Sequence, residues 1–184
     1  MSDERLDRIL AAAYECFTRH GVRRTTMDDI ATAAGMSRPA VYQYVRNKDD
    51  AYRRLAGRLF DDALAAARTA AAGDLPLPER LHAILATKLE LTLRLWRDSP
   101  HAAELLDAST RLTGDLVRTY TADLVDVLTA ALARDAGDRA RSVAELAVAL
   151  TRGLEADLTD PDTPRRLLRE GLALIAAGLP RETE

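Results

Sequence analysis

Apolar residues along this chain recur every three to four positions, and no segment alternates with a period of two. Leu6, Ile9, Leu10, Ala13, Tyr14 and Phe17 define one face of a first helix, and Gly21 stands where a C-terminal cap belongs. Thr25 and Thr26 can each cap a short second helix, and Thr26 with Asp29 resembles a capping box. That helix turns Met27, Ile30, Ala31 and Ala34 inward and ends at Gly35, with Met36 in the turn. Ser37 then caps a third helix with Pro39 in its first turn, carrying Ala40, Val41, Tyr42, Gln43 and Tyr44. Asn47 caps a further helix whose first turn holds Asp49 and Asp50, on the side the helix dipole favours. A short helix, a glycine turn and a second short helix form the layout of a helix-turn-helix within a three-helix unit.

Longer helices follow. One is predicted from about Lys48 to Ala72, before Gly73, Pro76 and Pro78 break the pattern, and another from Glu79 to Arg97. The second has apolar residues on more than one face, Trp96 among them, and so reads as central and buried. After Pro100, helical patterns run from His101 to about Thr110 and from Leu112 to Arg134, with Gly114 near their junction and Gly137 at the next break. The last two helices carry Val143, Ala147, Leu150 and Leu154, then Leu168, Leu172, Ile175 and Leu179. The fold expected is all-α with about nine helices: an N-terminal three-helix domain with the helix-turn-helix over residues 1–47 and a larger helical domain over 48–184.

Composition agrees. Leu and Ala dominate and only 4% of the 184 residues are aromatic, so the core must be mostly leucine and alanine. No apolar run reaches the ~18 residues of a membrane span. The charged start does not read as a signal peptide, and the single Cys16 agrees with a reducing cytoplasm. A net charge of −3 hides an asymmetry: residues 1–58 hold 11 Lys/Arg against 8 Asp/Glu, and the rest 15 against 21. A locally basic end on an acidic protein suits a polyanion.

The stretch TTMDDIATAAGMSRPAVYQYVRNKDDA, residues 25–51, resembles the DNA-binding signature of the TetR family of repressors. The matching positions are the Thr25-Thr26 pair, Ile30-Ala31, the Gly35 turn, Ser37, Tyr42 and Tyr44, and Lys48 followed by Asp49 and Asp50. Two positions depart from the pattern: Val45 replaces the usual Phe and Ala51 a frequent Leu, both at expected packing sites. The resemblance covers residues 5–58 and implies a regulator that binds a palindromic operator as a dimer and is released by a small-molecule effector.

The residues themselves suit such roles. Within the exposed helix opened by Ser37, Arg38 can pair bidentately with guanine and Gln43 can read adenine, while Pro39 and Ala40 can touch a thymine methyl. Thr26, Tyr42, Tyr44 and Lys48 suit phosphate contacts, which set register without reading sequence. Alternatives stand beside each: a packed aromatic for either tyrosine, a phosphate contact or solvated side chain for Arg38. Thr25 reads as buried or capping.

For the C-terminal domain the resemblance implies an effector pocket among the middle helices and a dimer bundle from the last two. Candidate pocket residues are Lys88, Thr92, Trp96, His101, Glu104, Ser109 and Tyr120, polar or aromatic groups within apolar helices. Ala144, Ala147, Gly153 and Gly171 would allow close helix approach. No nucleotide-binding glycine fingerprint, metal-ligand spacing or nucleophile with a base is recognisable, so no enzyme, metal or cofactor is expected. Adjacent carboxylates such as Asp28-Asp29, Asp49-Asp50 and Asp61-Asp62 point apart on a helix and read as solvated or capping charges. The competing reading is a helical ligand-binding or scaffold protein whose head no longer binds DNA.

Overall fold

The helical periods of the sequence become helices nearly where they are expected. The computed structural model describes residues 2–179, and the side chains of all of these except 2, 3, 103 and 106–110. Among them run α1 (Ser2–His20), α2 (Met27–Ala33), α3 (Arg38–Tyr42), α4 (Lys48–Ala71), α5 (Leu77–Asp98), α6 (Ala102–Ala136), α7 (Ala140–Leu154) and α8 (Asp162–Ala177), with a 3-10 turn at Gly137–Arg139. The count falls short of nine α-helices because the break expected near Gly114 is a kink, not a loop. Helix α6 passes through it with Thr113 at φ −130°, ψ 16°. Thr113 is fully buried. Arg53 donates to the Leu112 carbonyl beside the kink, and its two terminal nitrogens grip Asp115 at 2.9 and 2.7 Å.

The chain divides into two compact units. The first comprises residues up to Phe60 together with Leu95–Val117, and the second Asp61–Arg94 together with residues from Arg118 on.

In the first unit, α1 to α3 and the start of α4 close over Ile9, Ala13, Phe17, Ile30, Val41, Val45, Ala51 and Tyr52. Phe17 meets Tyr52 edge to face at 5.5 Å between ring centroids. The Tyr52 hydroxyl donates to the Leu105 carbonyl at 2.7 Å, so its polar tip is satisfied inside the core. Val45 and Ala51, where the sequence departs from its resembling family, are both buried packing positions.

The second unit is built mainly on leucine: Leu81, Ile84, Leu85, Leu89, Leu124, Leu128, Leu132, Leu168 and Leu172 are buried. Ala144 and Ala147 are also fully buried. These two alanines therefore serve packing within the chain, not the approach of a second copy. Gly171 does the same, since a Cβ there would lie 2.6 Å from Leu150 Cδ2. The part of α5 in this unit buries Leu81, Ile84, Leu85, Leu89 and Leu93.

The turn between α2 and α3 rests on Gly35 at φ 61°. Met36 N–H donates to Ala31 O and Gly35 N–H to Thr32 O, the paired closure of a Schellman motif. Arg8 Nη2 adds a bond to Ala34 O at 2.7 Å. The nearest atom to an added Cβ at Gly35 is Arg8 Nη2 at 3.5 Å, an ordinary contact, so only backbone strain opposes a side chain there. Gly35→Ala is expected to cost about 1–2 kcal/mol of stability, the left-handed penalty alone. Urea unfolding with an unchanged m-value would check it.

Candidate nucleic-acid interface

A helix of five residues cannot persist alone, so the face of α3 depends on what anchors it. Val41 is its buried residue, and Val45 follows into the same core. Ser37 caps the start, its hydroxyl accepting from Ala40 N–H at 3.4 Å. This leaves Ser37, Arg38, Pro39, Tyr42 and Gln43 exposed and Ala40 and Tyr44 half-buried. Tyr44 packs partly against the core, so its ring is held while Tyr42 keeps 40% exposure.

The preceding helix is capped as its sequence suggests. Thr26 Oγ1 accepts from Asp29 N–H at 3.2 Å, and Asp29 Oδ2 accepts from Thr26 N–H at 2.8 Å. Hydrogen bonds from the Thr26 hydroxyl and then its backbone hold the Asp29 carboxyl below its usual range. Thr25 is buried, its hydroxyl donating to Gly21 O at 2.8 Å.

Lys48 is engaged more fully than a phosphate contact alone requires. Its ammonium donates to the carbonyls of Val22 and Arg23 at 2.9 Å and of Thr25 at 3.3 Å. It therefore ties the start of α4 to the loop that leads into α2. Glu104 meets the same loop: Oε1 accepts from Arg23 N–H at 2.7 Å, and its carboxylate lies where a Gly21 side chain would stand. Arg24 Nη2 lies 3.1 Å from His101 Nε2. Sequence spacing alone gave no sign of these long-range contacts.

Asp50, expected as a solvated or capping charge of the first turn, is not solvated. It is buried and accepts from Arg46 N–H at 2.9 Å, from Arg46 Nη2 at 3.1 Å and from Arg54 Nε at 3.3 Å. Burial pushes its pKa up, but these bonds outweigh it and hold the carboxyl below the usual range. The helix start is capped, as expected, by Asn47, whose side-chain oxygen accepts from Asp50 N–H at 2.8 Å.

The seven candidate pocket residues separate. Lys88, Thr92 and Tyr120 lie in the second unit and converge on Glu155, which sequence reasoning did not single out. Lys88 pairs with the Glu155 carboxylate, and Thr92 donates to it at 3.0 Å. Both charged side chains are nearly buried, at 13% and 14% exposure. Tyr120 is buried close by; burial first, and the Glu155 charge with it, push its pKa up to about 12, against a hydrogen bond with Thr87. Trp96, His101 and Glu104 belong to the first unit, and Trp96 is 39% exposed rather than core. The Ser109 side chain lies outside the described residues. Among the described residues no group of His, Cys, Asp and Glu is arranged to hold a metal, and no helix is long and apolar enough to cross a membrane.

An anchored, capped and exposed second helix after a glycine turn defines a helix-turn-helix protein. Residues 9–55 match the family model of bacterial regulatory proteins of the tetR family. The chain is 30% identical over 105 residues to YhgD, an uncharacterised HTH-type transcriptional regulator of Bacillus subtilis, covering 54% of this chain and 55% of that protein. It is 37% identical over 68 residues to FasR, an HTH-type transcriptional activator of Mycolicibacterium smegmatis, covering 37% and 31%. The matches thus span about half or less of these relatives. Over 97% of this chain and 93% of the other, a transcriptional regulator from Pseudomonas aeruginosa PAO1 superposes with a TM-score of 0.75 at 20% identity. SmeT, the repressor of the Stenotrophomonas maltophilia multidrug efflux pump SmeDEF, does so with 0.69 at 23% over 96% and 91%. At such identities these likenesses show the fold. Within this chain, residues 9–55 are thus similar to the N-terminal segment of tetR-family regulatory proteins, on a helical fold shared with solved transcriptional regulators.

Two outcomes test this anatomy. Lys48→Met removes the donor shared by three carbonyls and is expected to lower the free protein's stability by about 1–2 kcal/mol, measured by urea unfolding without DNA. A lysine serving phosphate alone would leave it unchanged. Because the Asp50 carboxyl is held low, its contribution to stability is complete above about pH 5 and is lost as pH falls through its folded-state value. Asp50→Asn should therefore flatten the acid limb of the stability–pH curve.

Proposed function

We propose that this protein is a DNA-binding transcriptional repressor that grips a palindromic operator as a homodimer and releases it when a small molecule binds the helical C-terminal region. The observation that carries the reading is the exposed row of Ser37, Arg38, Pro39, Tyr42 and Gln43 on a helix anchored through Val41. Arg38, Ala40 and Gln43 are assigned to base edges, and Thr26, Tyr42, Tyr44 and the α4 terminus at Lys48 to phosphates. Repression is favoured by the likeness to SmeT, whereas FasR is named an activator; the position of the site relative to a promoter separates the two signs.

Dimerisation is assigned to α7 and α8, which leave Leu146, Leu167 and Leu174 at 57%, 37% and 75% exposure. Apolar residues so exposed on adjacent helices suit a self-complementary interface. The effector is assigned to the surroundings of Lys88, Thr92, Tyr120 and Glu155, where a nearly buried ion pair is joined by the Thr92 hydroxyl. SmeT has been solved with triclosan, which supports a small-molecule effector without naming this one. The head joins this region through the unbroken helix α4.

The deciding experiment is selection of duplexes from a random pool by the purified protein, followed by gel shifts of the winner across salt. A palindromic winner is expected, with affinity falling steeply and log-linearly with salt. Leu174→Glu is expected to give a folded monomer by sedimentation that has lost most affinity for the full palindrome. No enriched duplex at low salt would favour the other reading, a helical binding or scaffold protein with a silent head.

A further inference from the structure

On the face assigned to DNA, the Arg38 guanidinium is already held from two directions. Nη1 donates to Asp28 Oδ2 at 2.9 Å, and Nη2 donates to the Tyr42 hydroxyl at 3.3 Å. The guanidinium carbon stands 5.5 Å from the centroid of the Tyr42 ring. Asp28 comes from α2 and Tyr42 from the next turn of α3. Both carriers are anchored, α2 through buried Met27, Ile30 and Ala31 and α3 through Val41. The Arg38 and Asp28 side chains keep 54% and 63% exposure. A pair so exposed adds little to folding, so its use lies in where it places the guanidinium.

We propose that Asp28 is a specificity-determining positioning residue for duplex binding, holding Arg38 for base readout and opposing complexes in which Arg38 serves a phosphate instead. This rests on the DNA-binding reading above. An arginine has five N–H donors. Two are committed to Asp28 and Tyr42, and those left suffice for a bidentate contact with guanine O6 and N7. In that mode Asp28 keeps its partner and the guanidinium needs little further ordering. In a sequence-independent complex Arg38 turns toward a phosphate. Asp28 then loses its partner and stands, still charged, beside the phosphate backbone. One carboxylate thus favours the reading mode and penalises the sliding mode, the repulsive half of a specificity device. Neighbouring Asp29 cannot substitute, because its carboxylate is committed to the Thr26 cap.

The test uses full-length protein, Asp28→Asn and Asp28→Glu, with two probes: the duplex that wild type enriches most from a random pool, and the unselected pool. Asp28→Asn is expected to bind the unselected pool several-fold tighter, with a log–log salt slope steeper by about 0.9. Its preference for the selected duplex should fall by about tenfold or more. Asp28→Glu, which keeps the charge within reach of Arg38, should retain most of that preference. Asp28 also lies in the first turn of α2, where a carboxylate favours the helix. A purely structural role would weaken both probes in parallel with a lowered Tm. That outcome, or an unchanged preference in Asp28→Asn, overturns the inference. If wild type enriches no duplex, the DNA-binding reading fails first and the inference with it.

Discussion

The five residues of α3 have no helical stability of their own, and its exposed face is presented because Val41 is pinned in a core made by other helices. Isolated helices need about 12–15 residues to be even marginal in water. Burial of Val41 and Val45 in the cluster they share with residues of α1, α2 and α4 replaces that missing local stability and sets which side of α3 faces out. The Gly35 turn fixes the angle of entry, and Ser37 satisfies the first turn. The exposed side chains are thus positioned largely by buried residues beneath them, which is the arrangement a rigid surface needs.

The same logic extends to the loop before α2. Three carbonyls of that loop converge on the Lys48 ammonium, and one of its N–H groups on Glu104. A loop in the Gly21 left-handed turn cannot pair these groups with its own backbone, so side chains from α4 and α6 do so. Lys48 and Glu104 therefore define where α2 begins. That makes Lys48 a structural residue of the head whatever else it contacts.

In the second unit, polar and apolar features are set apart. The Lys88–Glu155 pair is nearly buried, where an ion pair is tolerable only if well partnered, and Thr92 supplies a further donor. The leucines of α8 are divided between a buried side, Leu168 and Leu172, and an open side, Leu167 and Leu174, and α7 leaves Leu146 exposed. Small residues follow the same division. Ala144, Ala147 and Gly171 permit close packing inside the chain, whereas a Cβ at Gly153 would meet nothing within 4 Å.

Local chemistry was legible in the sequence because it acts over a few residues. The helix periods, the Thr26–Asp29 box, the Ser37 and Asn47 caps, the glycine turns and the match at residues 9–55 are all relations within a turn or two, or motifs at fixed spacing. Partnerships across the chain were not legible. The bond from Lys48 to the Val22 carbonyl spans 26 residues, that from Arg23 N–H to Glu104 81 residues and that between Lys88 and Glu155 67 residues. Charge type and spacing cannot say which distant groups the fold brings within 3 Å, or that Asp50 is buried while Trp96 is not. Tertiary packing decided those matters, because burial and long-range pairing depend on how helices cross and not on the order of residues within any one of them.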